Sequence, residues 1–191
     1  MTSSESGIRN AARTRRLILE TSAEVLANRG SAATVADIAT AAGVSKGGVL
    51  HHFGSRDALL LAVTEYTLDS FRARVLTDVD LSENYPGKVL RAYIRVITAD
   101  DERDGDPYRS AALWNSVQMI PGVSEILRRD SAEWTELLER DGLNSDRARI
   151  IRHAAEGLAE ARYYEPGSIS DAVQRERCAL LDPTRANGPL A

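Results

Sequence analysis

The stretch Thr34 to Phe53, TVADIATAAGVSKGGVLHHF, constrains the fold more than any other part of the chain. It reads as two short helices joined by a tight turn, the size and spacing of a helix-turn-helix DNA reader. Thr34 can cap the first helix, and Asp37 three residues on can return a bond to the N–H of the cap, a capping-box-like start. That helix runs to about Ala42. Ile38 and Ala42 form its buried stripe, and Ala39 is small enough to let a second helix cross close by. At Gly43 the chain must leave the helix through a left-handed residue. Val44 plugs the turn, Ser45 is a good N-cap for the second helix, and Val49 and Phe53 lie four apart on its inner face.

Ser45, Lys46, Gly47, Gly48 and His51 are left pointing outward. Small residues, one cation and one imidazole suit a helix N-terminus pushed into a major groove, where backbone and short side chains approach phosphates and base edges. Two glycines in one turn cost roughly 1 kcal/mol each relative to alanine, so a purely structural helix has little reason to carry them. An ordinary helical hairpin is the competing reading of the two-helix pattern.

With the basic helix before it and SRDALL after it, the segment resembles the DNA-binding domain of the TetR family of bacterial transcriptional regulators. The matching residues are Thr34, Asp37-Ile38-Ala39, Ala42-Gly43-Val44-Ser45-Lys46-Gly47, His52-Phe53, and Ser55-Arg56 followed by Leu59-Leu60. The resemblance implies that Thr34, Ser45, Lys46, Gly47, Gly48, His51 and His52 face DNA, and that Arg56 meets a phosphate. It also implies that the fourth helix joins a DNA head to a ligand-binding body and tilts when ligand binds. One departure is evident: the family most often places a phosphate-contacting tyrosine before the two histidines, and here that position is Leu50. Either His51 takes over the contact or one contact is missing.

Helix formers dominate the 191 residues, aromatics make up 5%, and no sustained alternation of period two occurs, so an all-helical fold is expected. The net charge of −4 hides an asymmetry. Residues 1 to 56 hold seven Lys or Arg against four acids, a balance of +3 that leaves −7 for the rest. A basic head on an acidic body suits one end meeting a polyanion. Cys178 is the only cysteine, which rules out an intrachain disulfide, and no signal-like segment or membrane-length apolar run is present. A cytoplasmic protein that does not enter the membrane is expected.

After a polar start at residues 1 to 7, about nine helices are predicted. The first, Arg9 to Arg29, buries Ile18, Ser22, Val25 and Leu26 and stops at Gly30. Arg13, Arg15 and Arg16 near its start oppose the helix dipole, which favours phosphate or minor-groove contacts over a merely solvated face. The fourth runs from Arg56 to about Thr77 behind a Ser55 cap, and the fifth opens at Pro86 and ends near Thr98. An acidic loop leads to a sixth starting at Pro107, then a seventh over Val123 to Arg140 and an eighth to about Tyr164. A ninth spans Ser170 to about Leu181. The expected organisation is therefore a three-helix DNA-binding domain over residues 1–54, a helical ligand-binding and dimerisation domain over 55–182, and a frayed tail over 183–191.

If the likeness extends to the body, Phe71, Tyr93, Trp114, Met119 and Trp134 are candidates to line an effector pocket, with Asn115 and Gln118 as polar orienters. Plain core is the competing role for the large five. No cation cluster calls for a phosphorylated ligand, so a neutral or cationic lipophilic molecule is favoured. The eighth and ninth helices, through Ile151, Ala154, Ala155, Leu158, Ala161 and Val173, read as a homodimer seam, with an ordinary buried hairpin as the alternative. Two heads one or more DNA turns apart would recognise a palindrome. The histidines, His51, His52 and His153, lack metal-ligand spacing, and no phosphate loop or nucleophile elbow occurs, so neither catalysis nor a metal or other cofactor is expected. The sequence thus points to a ligand-responsive repressor binding double-stranded operator DNA. The alternative is a helical small-molecule-binding or adaptor protein with a weakened DNA head.

Overall fold

A computed structural model describes residues 3–98 and 106–164, all of whose regular elements are helices. They are α1 (Ser3–Arg29), α2 (Val35–Ala41), α3 (Lys46–Phe53), α4 (Arg56–Thr77), α5 (Lys88–Thr98), α6 (Ala111–Val117), α7 (Val123–Arg140) and α8 (Ser145–Tyr164). Single 3-10 turns follow α1, at Gly30–Ala32, and precede α6, at Pro107–Arg109. The predicted ninth helix and Val173 lie outside the described residues.

Two compact units share these helices. The first takes the described residues up to Ser70 together with 106–127, and the second takes 71–98 with 128–164. In the first unit Ile18, Leu26, Ile38, Val49, Leu59, Leu60, Val63, Leu113 and Val117 join one core, each at most 2% exposed. α6, expected with the body, belongs to this unit. A contact distant in sequence accompanies this: Ser110 Oγ donates to the Ala27 carbonyl at the end of α1 (3.1 Å) while accepting from Leu113 N to cap α6.

In the second unit Phe71, Tyr93 and Trp134 pack edge to face, with centroids 4.8 to 6.0 Å apart. α8 lies against α5, and its Ala148, Arg152, Ala155 and Ala159 are buried.

Three helix starts differ from expectation. α1 begins at Ser3, six residues before Arg9, so Arg13, Arg15 and Arg16 lie mid-helix and do not oppose its dipole as expected. α5 begins at Lys88 rather than Pro86, because Gly87 adopts φ +93° and Asp141, from the end of α7, caps the new start by accepting from Val89 N (2.8 Å) and Leu90 N. Pro107 opens only the 3-10 turn: Ser110 is extended (ψ 110°), which ends that turn and starts α6 at Ala111.

Candidate nucleic-acid interface

The reader is held together by caps that its own sequence encodes. Thr34 Oγ1 accepts from Asp37 N (3.1 Å), and Asp37 Oδ2 accepts from Thr34 N (2.8 Å), a reciprocal capping box. Arg29 at the end of α1 pairs with Asp37 Oδ1 at 2.7 Å. The side-chain and backbone bonds from Thr34, with Arg29 beside them, hold the Asp37 carboxyl down at about 2. Sequence reading missed the Arg29 pair, which lies across a turn and outside any helical spacing.

Gly43 then reverses the chain at φ +66°, and Val44 N donates back to the Ala39 carbonyl (3.0 Å), so the turn satisfies the carbonyls that α2 leaves open. Ser45 is extended and its Oγ accepts from Gly48 N (2.9 Å), which starts α3. Val49 and Phe53 are buried and anchor the helix from within. Ser45, Lys46, Gly47 and His51 are exposed, and Gly48 and His52 are half-buried. Thr34, Arg13, Arg15, Arg16 and Arg56 are also exposed. Leu50, which stands where a tyrosine was expected, is half-buried and packs against the core.

Backbone conformation demands neither glycine of α3, but the space beside them differs. Both have negative φ, a Cβ on Gly47 would meet only Ser45 Oγ at 3.8 Å, and one on Gly48 would meet Ser45 Oγ at 3.3 Å and Val44 Cβ at 3.9 Å. At Gly47 the helix therefore carries a poor helix former with no internal packing reason for it, whereas a side chain at Gly48 would press on the oxygen that caps the helix.

A family model described as bacterial regulatory proteins, tetR family, matches residues 18–63, and one described as the tetracyclin repressor-like C-terminal domain matches 87–182. The chain belongs to the tetR family. Members of this family are DNA-binding transcriptional regulators rather than enzymes. The HTH-type transcriptional regulator YerO of Bacillus subtilis (strain 168) is 38% identical over 111 residues, 57% of this chain and 37% of that protein, so the match spans well under half of the relative. In fold the chain is similar to a transcriptional regulator from Rhodococcus sp. Rha1 (TM-score 0.75, 20% identity, 93% of this chain and 98% of that one). It is also similar to a tetR-family regulator from Rhodococcus sp. (TM-score 0.71, 22% identity, 89% and 97%).

Of the residues considered for an effector pocket in this tetR-family chain, the structure brings three together. Phe71, Tyr93 and Trp134 are at most 1% exposed and form the aromatic cluster of the second unit, where Tyr93 OH donates to Glu156 Oε1. Among the described residues Trp134 Nε1 has no hydrogen-bond partner. The other four lie in the first unit. Trp114 is half-buried and donates from Nε1 to the Tyr108 carbonyl (2.6 Å), while Asn115, Gln118 and Met119 are exposed. Met119, expected within the sixth helix, lies beyond its end at Val117 and is 86% exposed.

On α8 the expected dimer residues divide. Ala155 is buried within its own unit, Ile151, Leu158 and Ala161 are half-buried, and Ala154 is exposed beside Ile150 and Gly157. No helix among the described residues is long and apolar enough to cross a membrane, and no group of three His, Cys, Asp or Glu among them could hold a metal ion.

Proposed function

We propose that this tetR-family protein is a ligand-responsive repressor that binds a palindromic operator as a homodimer and leaves it when a small lipophilic molecule binds the body. The observation that carries the reading is the first turn of α3: Ser45, Lys46 and Gly47 stand exposed on a helix whose opposite side is locked by Val49 and Phe53. A bare, capped helix start of this kind can bring its backbone and one cation against phosphates and base edges. Arg13, Arg15, Arg16 and Arg56 would add contacts to the DNA backbone. In the second unit, Phe71, Tyr93 and Trp134 supply the aromatic surface suited to a neutral or cationic lipophilic effector. The half-buried and exposed stripe Ile151, Ala154, Leu158 and Ala161 is the part of α8 left for a second copy. The protein acts in the cytoplasm.

A second reading, a small-molecule-binding or adaptor protein with a weakened head, draws on Leu50. Its packing against the core removes it as a phosphate contact. Selection of duplexes from a random pool by the purified protein separates the two. The repressor reading expects an inverted repeat to be enriched within a few rounds, whereas a pool that stays random supports the adaptor.

A further inference from the structure

The three arginines in the middle of α1 are not equivalent. Positions three apart share a helix face, so Arg13 and Arg16 point together, while Arg15 is turned about 100° from Arg16. That turn brings the Arg15 guanidinium over the ring of Phe53, with its carbon 4.8 Å from the centroid. A cation this close to a ring face is attracted by the electrons of the ring. Phe53 is the last residue of α3 and is 9% exposed, so Arg15 ties α1 to the final turn of the reader helix. From Phe53 the ring contacts continue outward. His52 lies 6.4 Å from Phe53 at a tilt of 56°, and His51 meets His52 edge-on at 5.8 Å. The sequence of contacts thus leads from a cation on α1 to the exposed imidazole on the outward face of α3.

We propose that Arg15 is a positioning residue of the reader: by stacking on Phe53 it sets the last turn of α3 against α1 and fixes where His52 and His51 stand, and it does not itself meet a phosphate. The proposal rests on α3 being the DNA-contacting helix. It separates Arg15 from Arg13 and Arg16, which serve as backbone contacts. The guanidinium edge could still donate to a phosphate while its face covers the ring, and the salt dependence of binding distinguishes these roles.

The test is fluorescence anisotropy on a labelled duplex taken from the selection described above, over a salt series, with the parent, Arg15→Ala and Arg16→Ala. Loss of one phosphate contact makes the log–log salt slope shallower by about 0.9, and this is expected for Arg16→Ala. Arg15→Ala should weaken binding about tenfold at every salt concentration with the parental slope, the scale of one lost anchoring contact. Its melting temperature should stay within about 2–4 °C of the parent, which separates the loss from unfolding. In a Phe53→Leu background the Arg15→Ala step should lose most of its effect, because the partner through which it acts is gone. Should Phe53→Leu fail to fold, the slope comparison decides alone. A slope for Arg15→Ala that drops as it does for Arg16→Ala, or an unchanged affinity, overturns the proposal. Absence of sequence-selective binding by the parent removes the DNA reading itself, and the proposal with it.

Discussion

The two compact units differ in where they keep charge: among the described residues Arg91 and Arg152 are buried in the second, whereas the buried polar residues of the first, Ser22, Thr64, Thr67 and Ser110, are all neutral. In the unit that contains the reader, the outward groups of α3 are small and exposed, and polar bonds are spent on helix caps: Thr34 with Asp37, Ser45 with Gly48 N, and Ser55 with Ala58 N. In the other unit charged groups are drawn inside. Tyr93 reaches Glu156, Arg152 is 4% exposed and donates to Ser131 Oγ, and Trp134 Nε1 is buried without a partner among the described residues. A surface built to meet a polyanion needs rigid framing and little bulk. A core built around aromatics gains stability from packing, so the two units should respond to substitution in opposite ways.

The largest effect is expected in the aromatic cluster. Trp134→Ala removes a side chain 1% exposed, and chemical unfolding should show a loss of about 3–5 kcal/mol. Equal stability for that variant would mean that the cluster is not the core of its unit.

In the reader, Thr34→Ala should cost about 1 kcal/mol through loss of the cap, measured in the same way. Gly47→Ala should move stability the other way, a gain of up to about 1 kcal/mol, because the Cβ has room and alanine is the better helix former. Duplex binding by that variant should weaken. A variant that is both more stable and equally tight would place DNA away from this turn.

The smallest expected difference is in pH dependence. Asp37 is held at about 2, below its ordinary 3.8, by the bonds from Thr34 and by Arg29. Its contribution is therefore present above 3.8 and is lost as pH falls toward 2. Asp141 is shifted the opposite way: burial raises its carboxyl despite the bonds from Val89 and Leu90 N–H. Burial likewise raises Asp130 despite its pairing with Arg72. For these two the folded state holds protons more tightly than the unfolded one, so stability falls as pH climbs through their folded values. Unfolding curves should show Asp37→Asn destabilising at about pH 5 and neutral near pH 2, while the cost of Asp141→Asn shrinks as pH climbs above 3.8. Parallel behaviour of the two variants would contradict the contrast.

The reader was legible in the sequence because its determinants are local. Thr34 with Asp37, Gly43 at φ +66° and Ser45 act within three or four residues of themselves, and each stands in the expected role. The limits of α4 and α7 and the start of α8 also follow from nearby caps and breakers, such as Ser55, Gly142 and Asn144. What could not be read was set by distant partners. Nothing near Ser110 signals that its hydroxyl bonds to Ala27, 83 residues away, and this contact places α6 in the unit of the reader. Pro86 looked like a helix start until Asp141, from the end of α7, supplied the cap two residues further on. Helical periodicity marks Phe71, Tyr93 and Trp134 as inward-facing but cannot reveal that they face one another. The same limit hid the difference between Arg15 and its neighbours, since Phe53 lies 38 residues along the chain.

The central claim is that the exposed start of α3 meets DNA, and Lys46 tests it most directly. Titration of the enriched duplex across a salt series, with parent and Lys46→Ala side by side, should show the parent preferring that duplex over a scrambled one with a steep salt dependence. The variant should bind more weakly, with a slope shallower by about 0.9. Identical slopes and affinities for the two proteins, or a parent indifferent to the sequence of the duplex, would contradict the account.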